Sequence, residues 1–197
     1  MSNHSDDIRL IEEFTRGAHA AFNKIVLKYQ DMVFNVCMKM LRDRNDALDV
    51  SQDVFVSLYR HLKEFRGDSL LSTYLYRICM NMCKNRLRSR ARLRRNVAYS
   101  LDSPVEAAGG VMRREIDSGM PTPRDETSDK ERRKIVRDTV DSLKTEYKEI
   151  VVLKEFEQLK YNEIAAILKI DIGTVKSRLA RARAELRQKL KDYYEWM

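Results

Sequence analysis

The stretch YNEIAAILKIDIGTVKSRLARARAELRQKL, residues 161–190, has the apolar spacing of two helices separated by a tight turn. The first helix is short, and the break at residues 169–171 ends it. Asp171 can cap the second helix, in which apolar residues recur at steps of three and four. The apolar positions are Ile164, Ala165, Ile167 and Leu168 in the first helix and Val175, Leu179, Ala182, Leu186 and Leu190 in the second. This pattern predicts a helix-turn-helix.

The opposite face of the second helix is polar and basic. Residues 161–191 contain eight Lys or Arg and three Asp or Glu. Hydroxyl and guanidinium groups on such a face contact base edges and phosphates when the helix lies in a major groove. The outward residues are Thr174, Lys176, Ser177, Arg178, Arg181 and Arg183. An amphipathic hairpin with a solvated basic face is the alternative, but the combination of both helices and the turn favours duplex DNA.

The composition predicts an all-α protein of one or two small domains. The chain has 197 residues, of which 43% are hydrophobic and 35% charged, with only six Gly and three Pro. Strand-like alternation is absent from the pattern. The net charge of +8 suits a polyanionic partner. Because no apolar run reaches the about 18 residues that a membrane-spanning helix needs, and the N-terminus is acidic and polar, we expect a cytoplasmic protein without membrane insertion.

Three cysteines, Cys37, Cys79 and Cys83, form an odd set. With no export signal predicted, we expect reduced thiols that act as small buried hydrophobic residues. The three histidines show no ligand-like spacing with them, so no metal site or cofactor is predicted.

Three helices are predicted in the first 65 residues. They cover residues 6–16 and 18–41, and then a stretch that Asn45 or Asp46 can cap. The inward residues of the third helix are Leu48, Val50, Val54, Phe55, Leu58 and Leu62. Its polar face carries Asp46, Asp49, Gln52 and Asp53. Taken alone, these carboxylates simply complement the helix dipole.

A fourth helix, predicted after the loop at residues 67–69, excludes acidic residues. From residue 69 to residue 101 there is no Asp or Glu, whereas eight residues are Lys or Arg. A helix that follows a phosphate backbone gains from this exclusion, so we expect a nucleic-acid surface. Tyr74 and Tyr76 can stack on unpaired bases. Burial in the core is the alternative for both, and for Tyr76 it is at least as well supported.

All three prolines and the pair Gly109 and Gly110 fall between residues 96 and 128, where the periodicity stops. We therefore predict a flexible linker over 96–128 that joins a helical domain at 1–95 to a second one at 129–197. The second domain begins with a helix at residues 129–143. A further helix, 146–159, then leads into the helix-turn-helix. The core face of the first of these helices is Ile135, Val136, Val140 and Leu143.

Three blocks in this order resemble the extracytoplasmic-function (ECF) group of bacterial RNA polymerase sigma factors. Residues 45–69 (NDALDVSQDVFVSLYRHLKEFRGDS) resemble a conserved-region-two helix and loop of the family. Residues 72–92 (STYLYRICMNMCKNRLRSRAR) resemble its promoter-melting helix, and residues 161–186 its region-four helix-turn-helix. The resemblance covers nearly the whole chain apart from the linker.

The resemblance implies three binding surfaces. Core polymerase, through the clamp of its largest subunit, would bind Asp49, Gln52 and Asp53. The melted minus-ten element would bind Gly67, Asp68, Ser69, Tyr74, Asn81, Lys84, Asn85, Arg86 and Arg88. The duplex minus-thirty-five element would bind Thr174, Lys176, Ser177, Arg178 and Arg181. An anti-sigma factor is a further partner that the resemblance implies.

The chain differs from the family pattern at two of these residues, Tyr74 and Lys176, and at Leu71 near the first of them. Tyr74 stands where Trp is usual, and Leu71 where an aromatic residue is common. Lys176 replaces a frequent Arg, and because Lys lacks the bidentate fork that reads guanine, it is better suited to a phosphate.

The sequence predicts no enzymatic activity, because no nucleophile and base pair, metal cluster or phosphate-binding Gly loop is evident. The predicted function is that of a sigma factor that gives core polymerase promoter specificity and helps to open the minus-ten DNA. One alternative is a helix-turn-helix regulator that acts without polymerase, which would leave the acid-free helix unexplained. The other is a sigma-like decoy that binds an anti-sigma factor, which would not need both basic surfaces.

Overall fold

A computed structural model describes residues 2–100 and 125–194, and in these residues it contains α-helices and no strand. The α-helices are α1 (Ser2–Thr15), α2 (His19–Leu41), α3 (Arg44–His61), α4 (Leu71–Ser100), α5 (Asp125–Asp141), α6 (Thr145–Val151), α7 (Tyr161–Leu168) and α8 (Ile172–Tyr194). A 3-10 turn, Leu62–Glu64, follows α3, and a π-helical turn, Val152–Phe156, follows α6. The predicted all-α fold class is confirmed.

Helices α1 to α4 form the first bundle, and its core follows the three- and four-residue spacing of the sequence. Ile25, Val33 and Met40 of α2 are fully buried, and so are Leu58 of α3 and Leu75 of α4. Helix α1 is fixed to α2 by a buried carboxylate. Asp7 accepts hydrogen bonds from Lys28 Nζ (2.5 Å) and from the Tyr29 hydroxyl (2.6 Å). Burial and this acceptor raise the pKa of Tyr29.

The predictions for α3 were wrong in two details. Its N-cap is Asp43, whose carboxylate accepts the backbone N–H of Asp46 (2.9 Å), and not Asn45 or Asp46. The helix therefore begins two or three residues earlier than the apolar pattern alone suggested, because a cap residue lies outside that pattern. Leu48 is 42% exposed and does not face inward. It lies about 100° around the helix from the centre of the buried face, at about 100° per residue.

Helix α4 continues to Ser100 and α5 begins at Asp125, so both ends of the predicted linker are helical. Residues 96–100 and 125–128 contain no Pro or Gly, and the breakers lie further inside the segment. The prolines and the Gly109 and Gly110 pair lie outside the described residues. The boundaries 1–95, 96–128 and 129–197 stay predictions.

Helices α5 to α8 form the second bundle. Ile150, Leu153, Ile164 and Val175 are fully buried there. Val136, which the sequence placed on the core face of α5, is 42% exposed and was wrongly predicted. The single helix expected over 146–159 is instead α6 followed by the π-helical turn, in which the N–H of Glu157 reaches back five residues to the Val152 carbonyl (3.0 Å).

The helix-turn-helix forms where the sequence predicted it. Helix α7 ends at Leu168, its C-cap Lys169 has a left-handed φ of 55°, and α8 begins at Ile172. Ile167 of α7 and Leu179 of α8 are both buried. Burial of these two apolar faces leaves the polar face of α8 outward.

The three cysteines are buried free thiols, as predicted, and all lie in the core of the first bundle. None of the described helices is long and apolar enough to cross a bilayer.

Candidate nucleic-acid interfaces and the acidic face beside them

The outer face of α8 presents most of the residues predicted to contact duplex DNA. Lys176, Ser177 and Arg181 are exposed, and Thr174 is half-buried. The Ser177 hydroxyl donates to the Thr174 carbonyl (3.1 Å), which fixes its rotamer on the helix surface. Arg178 lies at the flank, where its guanidinium is 3.5 Å from the Glu146 carboxylate. Lys176, Arg181 and the Ser177 hydroxyl are thus directly accessible on the helix surface. Arg178 becomes accessible when its weak, solvent-exposed ion pair with Glu146 breaks.

Arg183, also expected on this face, forms an ion pair with another element of the second bundle. Its Nε and Nη2 lie 3.1 and 2.7 Å from one carboxylate oxygen of Glu155, in the π-helical turn. That carboxylate raises the pKa of Arg183. The contact links α8 to the turn, and because both side chains are about half exposed (52% and 43%), Arg183 stays at the surface.

Helix α4 separates its predicted DNA residues onto two sides. Asn81, Asn85 and Arg88 are exposed along one stripe, and Tyr74 shares it. Arg86 lies about 140° around the helix from Asn81, at about 100° per residue. Lys84 lies at the edge of the stripe, with its side chain 25% exposed. The structure therefore brings four of the predicted residues together, places Lys84 beside them, and separates Arg86.

The predicted loop lies at the start of this stripe. Gly67 has a φ of 78°, and a Cβ there would be 3.3 Å from the Ile8 side chain, so the turn against α1 favours glycine. Asp68 is exposed and Ser69 half-buried. Half-buried Tyr74 packs against Phe65, with ring centroids 5.5 Å apart. Tyr76 is 7% exposed, so the core position considered for it is correct.

The acidic face of α3 is exposed at all three predicted positions, Asp49, Gln52 and Asp53. Sequence reasoning missed that two exposed apolar side chains, Leu48 and Val56, continue this face at steps of three and four. The four-residue spacing of positions 48, 52 and 56 in the sequence could have shown that these side chains share one face of the helix. Leu48 and Val56 thus share one exposed face of α3 with the acidic residues.

Arg86 joins this acidic face to α4. Its Nη2 lies 2.6 Å from Asp46 Oδ1 and 3.0 Å from Asp49 Oδ2. The Asp46 carboxylate is the main cause of a raised pKa for the Arg86 guanidinium. Arg90 also pairs with Asp46 and donates to the Leu41 carbonyl (3.2 Å). Two basic residues of α4 are thus bound to α3 and α2, which the sequence did not indicate.

Comparison with known proteins agrees with this arrangement. The family Sigma-70 region 2 matches residues 25–93, and Sigma-70 region 4 matches residues 133–186. The ECF RNA polymerase sigma-E factor of Haemophilus influenzae is 35% identical over 190 residues, which are 96% of this chain and 98% of that protein. The RNA polymerase sigma-H factor of Pseudomonas aeruginosa is 34% identical over 93% of each chain. The ECF RNA polymerase sigma-E factor of Escherichia coli K12 is 36% identical over 96% of this chain and 97% of that protein.

Two solved structures share the fold. CnrH in complex with the cytosolic domain of CnrY has a TM-score of 0.65 at 24% identity and covers 95% of this chain and 98% of that chain. The sigma factor RpoE of Bartonella quintana, in complex with the anti-sigma factor NepR, has a TM-score of 0.62 at 23% identity and covers 86% and 96%. Together with the sequence matches over nearly the full length of the relatives, these findings show that the chain belongs to the ECF family of RNA polymerase sigma factors, which are transcription initiation factors and not enzymes.

Proposed function

We propose that this chain is a cytoplasmic alternative sigma factor with a separate surface for each of its three partners. It binds core RNA polymerase through α3, the melted minus-ten strand through α4 and the loop before it, and the minus-thirty-five duplex through α8. The observation that carries the proposal is the presence of two exposed basic helix faces, one on each bundle, with an exposed acidic face beside the first. The domains would be 1–95 for region two and 129–197 for region four, with 96–128 as linker.

Helix α8 would read the minus-thirty-five element in the major groove. Arg178 and Arg181 have the planar fork that binds guanine bidentately, and Thr174 and Ser177 supply hydroxyls for base edges or phosphates. Lys176 would contact a phosphate as a point charge. Because the hydrophobic side of α8 is buried against α7, the helix can enter the groove only by this outer face.

Helix α4 would hold the minus-ten strand after the duplex opens. The amides of Asn81 and Asn85 both donate and accept hydrogen bonds, so they can pair with an unpaired base edge, and Arg88 can bind the backbone. Tyr74 and the loop residues Gly67, Asp68 and Ser69 lie at the start of the same stripe, where an extruded base could be received.

Helix α3 would dock on the polymerase clamp. Asp49, Gln52 and Asp53 supply charge complementarity to a basic partner surface, and the apolar Leu48 and Val56 supply area that is removed from water on binding. An anti-sigma factor that covers any of these three surfaces would block transcription, and we include such a protein among the expected partners.

Run-off transcription with purified core polymerase tests the proposal. The templates are promoters found by mapping transcript starts after overexpression of the chain. We expect transcripts that depend on both the chain and core enzyme, and a footprint over both promoter elements. A footprint over one element that forms equally without polymerase would favour the helix-turn-helix regulator. Absence of transcripts from every template, together with tight binding of an anti-sigma factor, would favour the decoy.

A further inference from the structure

The loop that joins α3 to α4, residues 65–70, is fixed at both of its ends. Leu62 before it and Leu71 after it are fully buried. The N–H of Phe65 donates to the Leu62 carbonyl (3.2 Å), and the Phe65 ring packs against Tyr74 of α4, with centroids 5.5 Å apart. These contacts fix the ends of the loop within the first bundle, and its middle is contacted by a different element.

Helix α1 supplies the contact with the middle of the loop. It packs on the 3-10 turn Leu62–Glu64 that leads into the loop. A Cβ atom at Gly67 would lie 3.3 Å from Ile8 Cδ1, so the Ile8 side chain fills the space beside the glycine backbone. Because packed groups transmit displacements to their neighbours, the size and position of the Ile8 side chain set how closely the loop approaches α1.

The residue before Ile8 holds α1 in place. The Asp7 carboxylate is 3% exposed and accepts hydrogen bonds from Lys28 and Tyr29 of α2. Adjacent residues of a helix point about 100° apart, so Asp7 can bind α2 while Ile8 contacts the loop. Separation of α1 from α2 would leave a buried charge without its partners, which is costly. Since α2 also packs against α4, Ile8 has a fixed position relative to the predicted DNA stripe.

We infer that Ile8 is a positioning residue of the minus-ten site, which sets the position of Gly67 and of the two residues after it, and thereby how well the loop accepts a base. This inference rests on the proposed role of the loop in receiving an extruded base. Residues that touch a ligand recognise it well only when supporting residues hold them in position. Ile8 is half-buried and acts through its contact with Gly67. Loss of this contact should weaken recognition of one base and leave the backbone contact proposed for Arg88 intact.

Truncation of the Ile8 side chain tests this role, with Ile11→Ala as a matched control. Ile11 lies one turn further along α1 and is buried, and among the described residues Ile8, and not Ile11, lies within 4 Å of the Cβ position at Gly67. Holoenzyme is assembled from core polymerase and each variant. Its affinity for single-stranded minus-ten DNA is measured with every base present and with one base at a time removed. Urea unfolding of the free chains compares the stability of the variants, and Ile8→Val, which removes Cδ1 alone, replaces Ile8→Ala if that variant does not fold.

The variant Ser69→Ala identifies the base that the loop receives, because removal of that base should abolish the effect of the substitution. We expect Ile8→Ala to lower affinity for the intact strand at least about twofold, the lower limit for coupled groups in contact, and to have no effect once that base is removed. Ile11→Ala should bind each strand as the wild type does.

Two kinds of failure can be distinguished. If Ser69→Ala depends on one base but Ile8→Ala causes no loss, or an equal loss with and without that base, the positioning role of Ile8 is wrong. The same base-dependent loss in Ile11→Ala would also overturn it, because the effect would then come from a general loosening of α1. If the effect of Ser69→Ala depends on no base, the loop does not receive one, and the proposed function of the loop fails together with the inference.

Discussion

Arg86 and Arg88 lie two residues apart in the basic helix α4, but the structure gives them different partners. Arg88 is exposed on the stripe with Asn81, whereas Arg86 is bound to Asp46 and Asp49 of α3. We therefore predict that Arg88→Ala weakens DNA binding and that Arg86→Ala mainly weakens the fold. The two variants remove the same side chain from the same helix, so each is the control for the other.

The size of each effect follows from the contacts. One phosphate contact to a single strand contributes about 0.7 to the slope of log K against log salt, so Arg88→Ala should lower the slope by about 0.7. Arg86→Ala leaves Asp46 with Arg90 but removes two charge-assisted contacts. Such contacts contribute about 1.5–3 kcal/mol when they are shielded from water. Because the Arg86 side chain is 39% exposed, we expect the free energy of unfolding to fall by about 1 kcal/mol.

The assay uses holoenzyme assembled from core polymerase and each variant, and DNA in which the minus-ten strand is already single-stranded. Affinity is measured over a range of salt concentrations, and the free energy of unfolding of each free chain is measured with urea. If Arg86→Ala lowers the salt slope as much as Arg88→Ala and leaves the unfolding free energy unchanged, the assignment of Arg86 to α3 is wrong.

Three further outcomes are expected. Arg178→Ala should weaken binding of the minus-thirty-five duplex by about 1–3 kcal/mol, as for loss of one bidentate base contact, without changing affinity for core polymerase; an equal loss of both in gel-shift and pull-down titrations would contradict this. Asp53→Arg should weaken binding to core polymerase without changing affinity for the minus-thirty-five duplex, because it places a cation on the docking face of α3. An unchanged affinity for core polymerase would contradict the assignment of this face to the clamp. Asp7→Ala should cost about 2–3 kcal/mol of unfolding free energy in urea, since Lys28 and Tyr29 lose a buried partner, while duplex binding by α8 stays as it was.

The helix-turn-helix could be predicted from the sequence because its determinants are local. The spacing of Ile164, Ile167, Val175 and Leu179 defines two apolar faces, and both are buried against each other in the structure. The turn between them needs only a residue that tolerates a left-handed conformation, which Lys169 adopts. Wherever one or two helical turns decide the structure, as in the core face of α2, the pattern was sufficient.

The contacts that give the site its arrangement could not be predicted, because their partners are distant in the sequence. Glu157 meets residues 118 and 81 positions away, and Arg86 meets Asp49 across 37 positions. Periodicity describes which face of one helix is apolar, and it does not describe which polar groups of another element approach the opposite face. The π-helical turn was missed for a related reason, since it leaves the apolar spacing of residues 150–153 intact.

The absence of acids from α4 limits the partners that its cations can have. A helix that mixes signs can pair its own Lys and Arg at steps of three and four. Because α4 has no carboxylate from residue 69 onward, its cations can be neutralised only by another element or by a phosphate. In the free chain Arg86 uses Asp46, Lys84 uses Glu149, and Arg88 has an exposed position. Lys84 lies beside the stripe proposed to bind DNA, so a phosphate there would have to replace the Glu149 carboxylate, whereas Arg86 lies on the other side of α4 and its pair with Asp46 stays intact.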